Sequence, residues 1–167
     1  QQAAGLVEVG VVGPAVQRRE ALHPGAGASA AAAVDGLFVQ VDVTDEAQVD
    51  ALFAAANDTY GSVDIAFNNA GTEGDVFVPL IEYPEETWDA VIDTNLKGVF
   101  LSMKYELPHI INARGAIVNM SSVAGLSGRG MGAAYTASKH GVIGLTKSAA
   151  AVRQVRRAGQ HGRASRD

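Results

Sequence analysis

Three runs of strand-forming residues, kept apart by segments of helical periodicity, restrict the fold of this chain more than any other feature. The first, "LFVQVDV" (37–43), lies between Gly36 and Thr44-Asp45 and predicts a strand. "VDIAFNNAG" (63–71) predicts a second buried strand running into a glycine turn, and "GAIVNMSS" (115–122) a third. After the first run, Thr44 is placed to cap a helix whose apolar face uses Val49, Leu52, Phe53 and Ala56 and which ends before Gly61. Between 84 and 111, Trp88, Val91, Ile92, Leu96, Phe100 and Met103 recur at helical spacing, with a break expected near Gly98 and with Trp88, Phe100 and Met103 as core candidates. A further helix is expected from about Ala133 to Ala151, after the glycine-rich loop "AGLSGRGMGAA". Strands separated by helices of this length imply right-handed crossovers and a doubly wound α/β fold, a parallel sheet covered on both faces. Ligands then sit beyond the carboxyl ends of the strands.

Composition removes several function classes. With 167 residues, 47% of them hydrophobic, the chain suffices for one domain with a core. It has no cysteine, which excludes disulfides, thiol nucleophiles and cysteine metal sites and points to a cytoplasmic address. Glu8 interrupts the opening apolar run and no basic region precedes it, so no signal peptide is indicated, and no apolar run reaches membrane-spanning length. The net charge of −5 argues against nucleic acid, and no aromatics interleave the arginines Arg153, Arg156, Arg157, Arg163 and Arg166 of the tail. His23, His109, His140 and His161 are scattered without ligand spacing, so no metal site is expected. Glu85 and Glu86 fit a helix start, where they complement the dipole.

The polar residues gather at the expected carboxyl ends of the strands: Asp42 with Val43, Asn68 with Asn69, Ser121 with Ser122. Tyr135 and Lys139, four apart on one helix, share a face one turn apart, so an ammonium lies near a phenol and favours the phenolate. Such a tyrosine exchanges a proton with an alcohol or carbonyl oxygen, and a serine hydroxyl from the preceding strand holds the same oxygen. The hydride would come from a cofactor, since no side chain supplies one. Each piece alone has a plainer reading: a solvated helix face for the Tyr-Lys pair, and turn formers for the serines and for Asn68-Asn69-Ala70-Gly71.

Taken in order, Asp42, Asn68-Asn69-Ala70-Gly71, Asn95, Ser122, and Tyr135 with Lys139 closely resemble the classical short-chain dehydrogenase/reductase family across residues 32–151. The resemblance implies a Rossmann-like sheet, NAD or NADP as cofactor, and a small-molecule alcohol or ketone as substrate. It makes Tyr135 the proton donor or acceptor and gives Ser122 the substrate oxygen. Lys139 tunes the tyrosine and binds the nicotinamide ribose, and Asn95 holds a water linking Lys139 to solvent. Asp42 and Val43 resemble the pair that contacts adenine, and Asn69, with Ala70 and Gly71, the turn beside the adenosine ribose. The helices through 95–107 and 135–149 resemble those that pair in family oligomers, implying a dimer or tetramer.

Two departures accompany the match. The family's first strand runs into a T-G-x-x-x-G-x-G turn that cradles pyrophosphate. Here Gly10 and Gly13 follow an apolar run but Pro14 interrupts it, and Gly25 and Gly27 follow no strand and read as an alanine-rich lead into a helix. Residues 1–31 therefore read as an unrecognisable or degraded start of the domain, 32–151 as its core, and 152–167 as a basic tail, disordered or frameshifted, with the later strands missing. Read from the second base of the Val152 codon, the codons compatible with the tail permit the family's own continuation, which motivates the frameshift hypothesis. Coding DNA with no better frame alongside would refute it. Two functions stay open at this point: a dehydrogenase, or a catalytically inactive remnant that at most binds nucleotide.

Overall fold

The computed structural model describes residues 6–8, 24–33, 36–128 and 132–161. Among these residues three parallel strands lie side by side in the order β1 (Leu6–Glu8), β2 (Ile65–Asn68) and β3 (Ala116–Asn119), with Ile65 opposite Leu6 on one side and Ala116 on the other. The opening apolar run thus contributes a short strand. The glycines that follow it, Gly10 and Gly13, lie outside the described residues. Among the described residues five α-helices accompany the strands: α1 (Pro24–Ala33), α2 (Glu46–Tyr60), α3 (Glu85–Ile92), α4 (Gly98–Ala113) and α5 (Ala133–His161). Gly25 and Gly27 fall inside α1, so no glycine turn forms there, and α5 runs ten residues past the predicted end near Ala151.

Residues 37–43 depart from the prediction of a laddered strand. Val41 and Val43 are buried and Val39 packs beside them, so the period-two alternation holds, but the segment makes only an isolated bridge at Val41. Branched side chains favour extended backbone, whereas a ladder depends on which edge lies alongside, and local propensity does not encode that. The cap of α2 also differs. Asp45 accepts from the amides of Ala47 (2.9 Å) and Gln48 (3.2 Å), while Thr44 donates its hydroxyl to Asp42 Oδ1 at 2.8 Å. The predicted apolar face of α2 is the buried one: Val49, Leu52, Phe53 and Ala56 join Val41, Val43, Val63, Ala66, Leu101 and Ile110 in the main core. The valine, leucine, isoleucine and phenylalanine side chains among them each contribute about 1.5–3 kcal/mol on burial.

Gly98 does not break the helical region. A π-helical turn spans Asp93–Lys97 and feeds directly into α4. Gly98 serves a close approach instead, since a Cβ there would lie 2.7 Å from Val43 Cγ2. The wider π turn shifts the helical phase, so the buried stripe of α4 runs through Val99, Met103, Glu106 and Ile110. Phe100, predicted for the core, is therefore exposed, and Trp88 is half-buried. Val99 and Met103 pack against Val142 of α5 in a second cluster. An exposed ion pair between Lys104 and Glu46, with Tyr105 donating its hydroxyl to the same carboxylate, joins α4 to α2.

Gly115 is compulsory on steric grounds: a Cβ there would lie 1.9 Å from the Asp64 carbonyl oxygen, where α4 turns into β3. Just before it, Arg114 closes α4 in the left-handed region with φ 56°. The helices cover the sheet face bearing Ala66 and Asn68. On the opposite face, among the described residues, Ile65, Val118 and Met120 are exposed.

Candidate active site

The carboxyl ends of β2 and β3 and the first half of α5 meet around Lys139. After β2 the chain passes through Asn69, Ala70 and Gly71 to Thr72, and Asn95 reaches this turn from the π turn. Asn95 is 0% exposed; its Oδ1 accepts from the Thr72 amide at 2.8 Å, and its Nδ2 donates to the Thr72 carbonyl at 2.8 Å and to Ser138 Oγ at 3.1 Å. One amide thus clamps both backbone groups of a loop residue and ties that loop to α5. The π turn matters here, because the extra residue in its ring aims a side chain that regular helical phase would place elsewhere.

Lys139 is 4% exposed and donates from Nζ to the Met120 carbonyl at 2.9 Å. Its Nζ lies 5.5 Å from the centroid of the half-buried Tyr135 ring. Burial holds the Lys139 ammonium below the ordinary lysine value. A Cβ on Gly71 would lie 3.2 Å from Asn95 Oδ1 and 3.7 Å from Lys139 Nζ, so the glycine turn, the π turn and α5 converge on one point. Beyond β3, Ser121 Oγ donates to the Lys139 carbonyl at 2.9 Å. Gly125 permits the tight approach of this segment, since a Cβ there would lie 2.6 Å from Ser121 Oγ and 2.7 Å from the Lys139 carbonyl oxygen. Ser122 lies three residues past the end of β3, not at its last position, and its Oγ accepts from the Ala124 amide at 3.2 Å at the head of a single 3-10 turn, Val123–Gly125.

Asp42 and Val43 stand at the start of the turn into α2. Asp42 Oδ1 accepts from the amide of Thr44 (2.9 Å) and from its hydroxyl, leaving the half-buried carboxyl at the rim, while the Val43 side chain is enclosed against Gly98. Asn69 is exposed and Ala70 half-buried. Among the described residues no cluster of side chains could hold a metal ion. Nor is any helix of these residues long and apolar enough to cross a membrane.

The sequence profile described as short chain dehydrogenase matches residues 3–156, reaching beyond 32–151 at both ends. The chain belongs to the short-chain dehydrogenase family. It is 46% identical over 118 residues to a 3-oxoacyl-[acyl-carrier-protein] reductase of Staphylococcus aureus, covering 70% of this chain and 47% of that protein. Among solved structures it resembles ElxO with NADP bound (TM-score 0.69, 39% identity, 72% of this chain and 49% of the other). It also resembles a short chain dehydrogenase/reductase of Burkholderia phymatum in complex with NAD (TM-score 0.67, 36% identity, 74% and 46%). The chain spans about half the length of the curated relatives it matches.

Within this short-chain dehydrogenase chain, the positions picked out by sequence order divide into two groups. Gly71, Asn95, Tyr135 and Lys139 come together directly, and Ser122 is the chain neighbour of Ser121, which is bonded to Lys139. Asp42 and Val43 reach the group through the packing of Val43 on Gly98. Thr72, Ser138, Asn119 and Glu106 escaped the sequence reading. Glu106 had a legible signal, since it occupies a position of the stripe Val99, Met103, Ile110 where an apolar residue belongs. Thr72 and Ser138 had none, because a backbone clamp and a serine on a helix look like ordinary loop and surface residues.

Proposed function

We propose that this chain is an NAD(P)-dependent oxidoreductase that interconverts a secondary alcohol and a ketone of small-molecule size, with Tyr135 as general acid/base. The observation that carries the reading is the enclosed Lys139 ammonium, anchored on Met120 and 5.5 Å from the Tyr135 ring, with Gly71 and Asn95 beside it. Relatives solved with NADP and with NAD bound support the cofactor class.

The residues present fit a nicotinamide cofactor at its ribose end. Lys139 has three N–H donors and spends one on Met120, and Gly71, bearing no side chain, lets the turn lie close against Asn95 and Lys139. Lys139 would hold the nicotinamide ribose. Asp42 and Val43 would border the adenine, the valine through its backbone, since its side chain is enclosed. Asn69, exposed on the turn, would stand beside the adenosine ribose. When bound, the cofactor supplies the hydride chemistry that no side chain carries.

The protein's own contribution is proton transfer and placement. Tyr135 Oη gives a proton to the carbonyl oxygen in reduction and takes the hydroxyl proton in oxidation, with the Lys139 ammonium held beside its ring. Ser122 Oγ donates to the same substrate oxygen and fixes its distance from Tyr135. Asn95 keeps the Thr72 loop and α5 in register, so that Lys139 and Gly71 present one surface. A dimer or tetramer formed through α4 and α5 belongs to the same proposal.

Titrating the chain with NADH and with NADPH, followed by reduced-nicotinamide fluorescence, tests this reading. Saturable binding that is weakened in Tyr135→Phe/Lys139→Ala, followed by turnover of a ketone panel that Tyr135→Phe abolishes, is the expected result. Absence of binding by the folded, soluble chain would leave only the inactive-remnant reading.

A further inference from the structure

One buried ionisable group takes no part in the proposed proton transfer. Glu106 is 0% exposed in the middle of α4, and its Oε2 accepts from Asn68 Nδ2 at 3.0 Å. Its Oε1 is enclosed without a hydrogen-bond partner, and so is Asn68 Oδ1. Both orphans belong to the same pair of planar groups and both are acceptors, so an ionised carboxylate leaves two buried acceptors unserved. A single proton on the carboxyl supplies the missing donor, and an acid and an amide joined by N–H···O and O–H···O bonds satisfy all four atoms.

Among the described residues no cation pairs with Glu106 to favour the ionised form. On its own helix, Lys104 is engaged with Glu46 of α2, which also accepts from Tyr105. In the π turn, Lys97 pairs with Asp93, and Lys139 of α5 donates to Met120. None of these groups is bonded to Glu106, nor is His109, one turn further along α4. Burial pushes the Glu106 carboxyl up to about 7 against the opposing pull of the Asn68 hydrogen bond.

Asn68 does more than receive this carboxyl. Its Nδ2 also donates to Asn119 Oδ1 at 2.8 Å, and Asn119 Nδ2 donates to Thr146 Oγ1 of α5 at 2.9 Å. Its backbone carbonyl accepts from the Met120 amide at 2.9 Å, and Met120 in turn holds Lys139. A contiguous set of bonds therefore leads from Glu106, across the ends of β2 and β3, to the lysine of the site.

We propose that Glu106 is held as the neutral acid in a two-bond pair with Asn68, and that this pair is a positioning element that fixes the Met120 carbonyl beneath Lys139. The significance of that carbonyl rests on the dehydrogenase reading, but the test does not. Hydrogen exchange at the Met120 amide, corrected for intrinsic rate, reports the β2–β3 end without cofactor. In the wild-type chain, protection at Met120 is expected to fall about tenfold between about pH 5 and about pH 9, as the acid ionises. Glu106→Gln restores both bonds without a titrating proton, so its protection is expected to stay within about twofold across that range. Glu106→Ala is expected to expose Met120 at every pH. Parallel pH profiles for the wild type and Glu106→Gln would overturn the neutral acid, and full protection at Met120 in a folded Glu106→Ala would overturn the positioning role. NADH and NADPH titrations of the same proteins judge the dehydrogenase reading separately: loss of binding by the wild type alongside the expected exchange pattern would sink that reading alone.

Discussion

Replacing Asn95 with alanine removes a clamp whose strength can be worked out from its partners. The substitution deletes bonds to the Thr72 amide and carbonyl, both 2.8 Å, and to Ser138 Oγ at 3.1 Å. Ser138 keeps its own bond to the Tyr135 carbonyl at 2.7 Å, so its loss is small. The two Thr72 groups lose their partner at a half-buried position, costing about 1–1.5 kcal/mol each, and the cavity left by the amide adds about 1 kcal/mol. The sum is about 3 kcal/mol, a fall in Tm of about 10 °C for a chain of this size. Asn95→Asp keeps the acceptor but sets a carboxylate oxygen against the Thr72 carbonyl. Its deficit is expected to match or exceed that of alanine at pH 7 and to shrink in acid, where the protonated carboxyl regains a donor. Ser138→Ala is the control and is expected to lose under about 1 kcal/mol. Thermal melts of the three variants by circular dichroism decide the matter. Asn95→Ala melting within about 2 °C of the wild type would refute the clamp.

Further expectations follow from single contacts. Gly115→Ala drives a Cβ to 1.9 Å from backbone at Asp64, which no rotamer relieves, so a loss of more than about 3 kcal/mol or an insoluble product is expected on expression and melting. Arg114→Gly relieves a left-handed residue at the end of α4, and a gain of about 1 kcal/mol should appear as a rise in Tm of about 2–4 °C. Phe53→Ala empties the centre of the main core and should cost about 3–5 kcal/mol by denaturant titration, with Val49→Ala costing less. For Glu106 the folded value of about 7 exceeds the ordinary 4.5, so its favourable contribution is complete below about 4.5 and is lost as pH rises through about 7. Wild-type stability relative to Glu106→Gln should therefore decline by about 3 kcal/mol across that window, and a difference that instead grows with pH would refute the burial argument.

The alternation of β-branched runs and amphipathic segments made the parallel α/β architecture legible, along with the buried face of α2 and the start of α3. The ordered residues from Asp42 to Lys139 made the family legible. Details set by contact partners were not. Extended backbone at 37–43 was readable, but its lack of a ladder was not, because pairing belongs to the neighbour. Thr44 and Asp45 are both good caps, and only the fold of the preceding turn, with Thr44 committed to Asp42, decides between them. Gly98 looked like a breaker because glycine usually is one, yet here it answers to Val43 across the interface. Phe100 fell out of the core because a π turn changed the helical phase upstream, and no local pattern announces such a turn.

The sequence by itself determined which candidate groups this chain carries: a phenol and an ammonium one turn apart, an amide, and a hydroxyl at a fixed distance along the chain. Those depend on residue identity and helical spacing, which are local. Tertiary structure decided how each is held: Asn95 spends its amide on Thr72 and Ser138, Lys139 rests on Met120, and Glu106 faces Asn68 in the interior. Each of those arrangements joins atoms far apart in the chain, and burial and hydrogen-bond satisfaction at such points arise only when the elements have packed.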